Sequence, residues 1–188
     1  MIKRTLRVPA ALITLLLTFF SIDGAASQTL TPAMPSDRGA VYVADASGAL
    51  SPIPYEVATT ALSATAVAKS DKTGYIEIPG EHSKTAVTAF EPRLYVFIPD
   101  RPGEHPPFLV MLTSKKGARR VTALTERGRA GYAIAGEEIV KPHYRVLGQE
   151  GGLAFMEITP RSPLAPGEYA IMGSDLSKVA TFTVKAGS

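Results

Sequence analysis

The stretch LYVFIPDRPGEHPPFLVMLT, Leu94 to Thr113, sets the fold class. Leu94 to Ile98 and Phe108 to Thr113 are short runs rich in branched and aromatic side chains, which suit a pleated surface. Between them, Pro99 to Pro107 holds four prolines and a glycine. Proline fixes φ and removes a donor, so this loop is neither strand nor helix. Phe108 to Thr113 is nearly continuous in apolar character, as a central strand covered on both faces requires.

The same punctuation extends in both directions. Ala40 to Ala44 leads through Asp45-Ala46-Ser47-Gly48 into Ala49 to Ile53, a hairpin pattern. Tyr75 to Ile78 stops at Pro79-Gly80, and Ala86 to Phe90 stops before Pro92. Arg119 to Thr125, Tyr144 to Leu147, Leu153 to Thr159, Glu168 to Met172 and Thr181 to Val184 complete the strands. Ala58 to Lys69 is rich in alanine but carries the β-branched Thr59, Thr60, Thr65 and Val67, and reads equally as strand or short helix. The crossovers that a parallel sheet needs are missing. The expectation is an all-β, antiparallel domain over residues 39–185.

Leu164-Ala165-Pro166-Gly167-Glu168-Tyr169 precedes one of these strands. Pro166 presets φ for a turn, Gly167 can take positive φ, and Tyr169 can bury its ring while its hydroxyl satisfies a carbonyl. The Leu164, Gly167, Tyr169 spacing resembles the tyrosine corner of immunoglobulin-like sandwiches. The plainer alternative is a proline-glycine turn followed by a core tyrosine. With Gly39-Ala40-Val41-Tyr42-Val43, Leu50-Ser51-Pro52-Ile53 and Leu94 to Ile98, the chain from Gly39 to Val184 resembles uncharacterised exported bacterial β-sandwich proteins that close on a Leu-x-Pro-Gly-Glu-Tyr turn. The resemblance implies a fold and supplies no catalytic residue. The fold expected is an immunoglobulin-like sandwich of roughly seven to nine strands.

Ahead of the domain, Lys3, Arg4 and Arg7 precede an apolar run from Val8 to Phe20, then the small residues Gly24-Ala25-Ala26-Ser27. This reads as an export signal over residues 1–27, cleaved near Ser27. Its apolar run falls short of the roughly 20 residues that span a bilayer. Residues 28–38 hold two prolines and no periodicity, and read as a disordered leader. The address is periplasmic or secreted. Losing Lys3, Arg4, Arg7 and Asp23 leaves 17 basic against 16 acidic side chains, so the exported chain is near +1 rather than +3. That balance gives little support to nucleic-acid binding. The chain has no cysteine, so packing holds the fold without disulfides. No further segment is long enough to span a membrane.

Catalytic patterns are sparse. His82, His105 and His143 share no metal-ligand spacing; Glu81-His82 and Glu104-His105 sit in loops, where solvated residues are the ordinary expectation. Lys72-Thr73-Gly74 copies one motif of penicillin-binding serine enzymes, but no Ser-x-x-Lys follows the export signal, and a polar turn is the simpler reading. No Gly-x-Ser-x-Gly elbow or phosphate-cradling loop occurs, and Gly128 to Gly136 lacks strand-loop-helix context. Glu137-Glu138 would face opposite ways in a strand. No metal, cofactor or catalytic residue is assigned.

One local bias stands out. Lys115, Lys116, Arg119, Arg120, Arg127 and Arg129, relieved only by Glu126, give +5 over fifteen residues. Gathered on a hairpin, they would recognise an envelope protein, an acidic glycan or an anionic lipid. The plainer reading is that charge keeps an open sheet edge from pairing. The function expected is a non-enzymatic binding module of the bacterial envelope, with no nucleic-acid partner. The alternatives are a loop-built hydrolase or metal-dependent enzyme, and a structural subunit that assembles through sheet edges.

Overall fold

A computed structural model of the chain describes residues 31–62, 72–125, 133–173 and 176–186. Residues 1–27, expected as an export signal, residues 63–69 of the alanine-rich stretch, Arg127 and Arg129 lie outside these. Fifteen short strands occur among the described residues. In chain order they are β1 Val41–Ala44, β2 Leu50–Ile53, β3 Tyr55–Val57, β4 Thr59–Leu62 and β5 Lys72–Pro79. Next come β6 Ala86–Val87, β7 Leu94–Pro99, β8 Phe108–Lys115, β9 Ala118–Thr125 and β10 Ala133–Ile134. The last are β11 Ile139–Val140, β12 Pro142–Glu150, β13 Leu153–Pro160, β14 Gly167–Met172 and β15 Lys178–Val184. One 3-10 turn, Gly136–Glu138, separates β10 from β11. The fold is all-β, and every pairing is antiparallel except β6 with β15.

Two sheets form. The first has the order β12-β13-β7-β1-β2. The second runs β3-β15-β14-β8-β9-β5-β4. Its two ends are β3 and β4, and only Ala58 separates them in the chain. The Ala58 amide donates to the Ser177 carbonyl at 2.9 Å. The second sheet therefore curls until its ends meet at one bent strand. This resolves the first part of the alanine-rich stretch as strand. Three of the strands beyond the seven to nine expected arise here: one bent segment is counted twice, and the gap between β8 and β9 admits β10 and β11. Strands β8 and β9 pair only from Thr113↔Arg120 to Lys115↔Ala118. Residues 133–140 wedge into the gap, β10 on β9 and β11 on β8. Glu138 holds the wedge by accepting from the Thr122 amide and, at 2.8 Å, from its hydroxyl.

Strand alternation then sorts the apolar side chains into three layers. Ile76, Ile78, Val110, Leu112, Val121, Ala170, Met172 and Val179 fill the inside of the curl. Leu109, Tyr169, Ile171, Phe182 and Val184 on its outside pack against Val41, Leu94, Val96, Met156 and Ile158 of the first sheet. The far face of the first sheet carries a third layer, Tyr42, Tyr95, Phe97 and Phe155. Strands β7 and β13 are thus covered on both faces. Of the leader, Met34 lies against Gly148, Asp37 accepts the Tyr42 hydroxyl at 2.6 Å, and Arg38 pairs with Glu150 at 2.6 Å. These contacts lay residues 34–38 along the outer face of the first sheet.

Arg119 closes one end of the curl. Its side chain is fully buried on the same inner face as Val121 and Ala123. The guanidinium meets Glu56 of β3 at 2.6 Å, the Thr181 hydroxyl of β15 at 2.7 Å and the carbonyls of Pro79 and Gly80, each at 3.0 Å. Gly80, at φ +89°, takes a conformation that suits glycine alone. Arg119→Met strands Glu56 without its cation. We expect it to cost about 3–5 kcal/mol in urea unfolding, with Glu56→Gln added on top recovering part of the loss. A cost within error of zero would show that the pair does not hold the ring.

Candidate functional site

The basic run expected as a binding surface is divided by the fold. Its hairpin turns at Lys116 and Gly117, with φ of 53° and 77°, a two-residue turn whose twist matches the flanking strands. Lys115 and Lys116 are exposed there. Arg119 points inward and is consumed by Glu56, so it offers nothing to a partner. Arg120 points outward, but pairs with Glu77 at 2.7 Å and lies 5.8 Å from the Tyr75 ring centre. Adjacent strand residues face opposite sides, and sequence charge alone does not reveal which is buried. Of the four basic residues that are described, only Lys115 and Lys116 remain as free surface charge.

Leu164 and Tyr169 are buried, and Gly167 is half-buried between them. The Tyr169 hydroxyl donates to the Ala165 carbonyl at 2.9 Å, and its ring stacks on Phe182 at 5.7 Å. Burial raises the phenol above its usual pKa. These three residues fix the entry into β14, and Leu164 and Tyr169 line a separate cleft of about 510 Å³ that Arg161 borders as well. The histidines fall in three separate settings: His82 bonds the buried Glu168 at 3.1 Å, His105 lines a cavity between the sheets, and His143 lies on β12. Among the described residues no three histidine or acidic side chains gather as a metal cluster. Lys72-Thr73-Gly74 belongs to strand β5 rather than to a turn, and Glu137-Glu138 belongs to the 3-10 turn.

The densest chemistry lies on the outer face of the first sheet. Glu157 of β13 is buried, opposite Arg145 of β12 and Tyr95 of β7 in register. Its carboxylate accepts from Arg93 Nε at 2.7 Å, the Tyr95 hydroxyl at 2.8 Å and Arg145 Nε at 2.8 Å. Burial works to raise its pKa, but the three donors outweigh it and hold the carboxyl below its usual range. Burial and the same bond push the Tyr95 phenol far up. Arg93 also stands 5.7 Å from the Tyr95 ring centre, and Arg38 stands 6.0 Å from that of Phe97. Beside Glu157 opens a cleft of about 530 Å³, lined by Arg93, Arg145, Arg161, His143 and Glu91.

Sequence reasoning passed over these residues because they are scattered from Glu91 to Arg161. A signal was present: Glu157 interrupts the apolar run Leu153 to Ile158, and a charge inside such a strand implies a buried ionic partner. Comparison with family models, with curated proteins and with solved structures gives no match for the chain.

Two expectations follow from this geometry. Tyr169→Phe removes a buried, satisfied hydroxyl and should cost about 1 kcal/mol in urea unfolding; no measurable loss would show that the turn does not lean on that bond. Glu56 and Glu157 both have carboxyls held below their usual pKa against the opposing effect of burial. Each therefore adds stability above the unfolded carboxylate pKa of about 4.3, and that stability disappears as pH falls through the depressed folded value. Melting temperature should drop from pH 5 towards pH 2 more steeply than in Glu157→Gln. Parallel curves would refute the linkage at Glu157.

Proposed function

We propose that the chain is an exported, non-enzymatic binding module of the bacterial envelope, periplasmic or secreted, acting through the outer face of its five-stranded sheet. The observation that carries this reading is the set of arginines laid over aromatic rings on that face: Arg38 at Phe97 and Arg93 at Tyr95, with Arg145 beside them. Arginine and aromatic side chains are enriched where proteins meet partners, and a planar guanidinium serves stacking and bidentate recognition together. The export half of the reading rests on the Lys3-to-Ser27 pattern. The immunoglobulin-like half rests on the Tyr169 turn, with the curled second sheet as a departure from that plan.

Assembly through sheet edges has less support. The curl joins its own ends, and the first sheet's edges are β2, interrupted by Pro52, and β12, broken by a bulge between Val146 and Gly148. Both features blunt edge pairing.

The test is a crosslinked pull-down of the exported chain, 28–188, from envelope extract at low and high salt. A specific partner should be captured at low salt and lost at high salt. Arg38→Ser with Arg145→Ser should lose the same partner, while Lys115→Ser with Lys116→Ser keeps it. Capture that survives the arginine pair but not the lysine pair would move the surface to the hairpin and overturn this reading.

A further inference from the structure

We infer that the cleft beside Glu157 is a binding site for a phosphate group, with Arg93, Arg145, Arg161 and His143 as its donors. The inference deepens the reading above and rests on it only for biological context, since the chemistry stands on the cleft itself.

Three guanidiniums and a histidine line the cleft against two carboxylates, Glu91 and Glu157. Glu157 is already committed to Arg93, Tyr95 and Arg145. That commitment leaves donors over. Arg93 Nη2 is buried and has no hydrogen-bond partner among the described residues. Arg161 is anchored through Nε alone, to the Pro142 carbonyl at 3.2 Å, and its residue is exposed. Arg145 uses Nε and one terminal nitrogen on Glu157, and its side chain is half exposed. A buried N–H without an acceptor is costly, most of all on a cation. An oxyanion in the cleft supplies that acceptor once the Arg93 guanidinium turns towards it.

The donors come from separate parts of the chain: Arg93 ahead of β7, His143 and Arg145 on β12, Arg161 after β13. Strand pairing brings them together, with Arg145 facing Glu157 and His143 facing Thr159 across the β12–β13 ladder. Donors approaching from several sides suit a tetrahedral group with three or four oxygens better than a carboxylate, whose two oxygens lie in one plane. Glu157 acts as the fixed counter-charge that spaces Arg93 and Arg145, a positioning role. Because His143 and Arg145 sit on a paired strand, these two donors are held in register before any ligand arrives.

The test titrates the full exported chain with inorganic phosphate, with acetate as the planar comparison, and follows arginine Nε–H resonances by NMR. Phosphate should shift the Arg93, Arg145 and Arg161 signals at one saturable site, and acetate should bind at least about tenfold more weakly. Arg161→Gln leaves the Glu157 cluster intact, so the variant should fold as the parent does and lose phosphate binding by about tenfold or more. Lys116→Gln, on the distant hairpin, should bind phosphate as the parent does. Vesicles of phosphatidylglycerol should displace phosphate if the natural source is a lipid headgroup and leave it bound if the source is a free ester; both results keep the phosphate class. Acetate binding as well as phosphate, or Arg161→Gln binding unchanged, would overturn the inference. Phosphate binding with no envelope partner captured would instead sink the proposed function and leave this site standing.

Discussion

A single buried cation holds the second sheet in its curled form. The ring has to close where β3 meets β15, and at that place the inner face offers Glu56 and Thr181 rather than apolar side chains. Arg119 reaches both, and its remaining donors take the Pro79 and Gly80 carbonyls where β5 ends. Three strands and one turn are thus tied to one guanidinium. The neighbouring Glu168 is satisfied in the same manner, by the Ser83 amide at 3.0 Å, the Thr183 hydroxyl at 2.7 Å and His82. Polar groups in such a place are tolerable only when every one of them has a partner. Removing one partner is costly because the others stay behind, stripped of water.

Glu56 and Glu157 solve one problem in two places. Glu56 closes the ring, and Glu157 organises the outer face of the flat sheet. Each is surrounded by arginine and a hydroxyl. At Glu56 a single arginine suffices and its side chain is wholly enclosed; at Glu157 two arginines crowd one carboxylate, and one of them remains half in solvent. The first arrangement is balanced in charge and serves the fold. The second carries a cationic excess and faces an open cleft.

Much of the strand pattern was legible. The Asp45-to-Gly48 hairpin, the proline-rich loop before Phe108 and the strands at 94, 108, 153 and 168 follow from punctuation and side-chain branching. The curl was not legible. It depends on a bend at Ala58 and on pairings between residues more than a hundred positions apart, which no local pattern encodes. The basic run was legible as charge but not as geometry: Arg119 and Arg120 look alike in sequence, and the pleat sends one inward and the other out. The cleft was missed because its arginines enter singly from distant strands. The short apolar stretch ahead of β3 gave no warning of a strand, since Tyr55 to Val57 carries a glutamate at its centre, the partner that Arg119 requires.

Ring closure also has a meaning in time. The pairing that completes the barrel-like curl joins Tyr55, Glu56 and Val57 to Ala180, Val179 and Lys178, one end of the domain to the other. Contacts so distant in sequence demand a large loop-closure entropy before they return any stabilisation, and they form late. Until β15 arrives, β3 has no neighbour, Arg119 has no Thr181, and the interior of the curl is open to water. A chain emerging in order from its N-terminus therefore keeps its ring unclosed until β15 is free, and only then does Arg119 gain the partner that locks the native form.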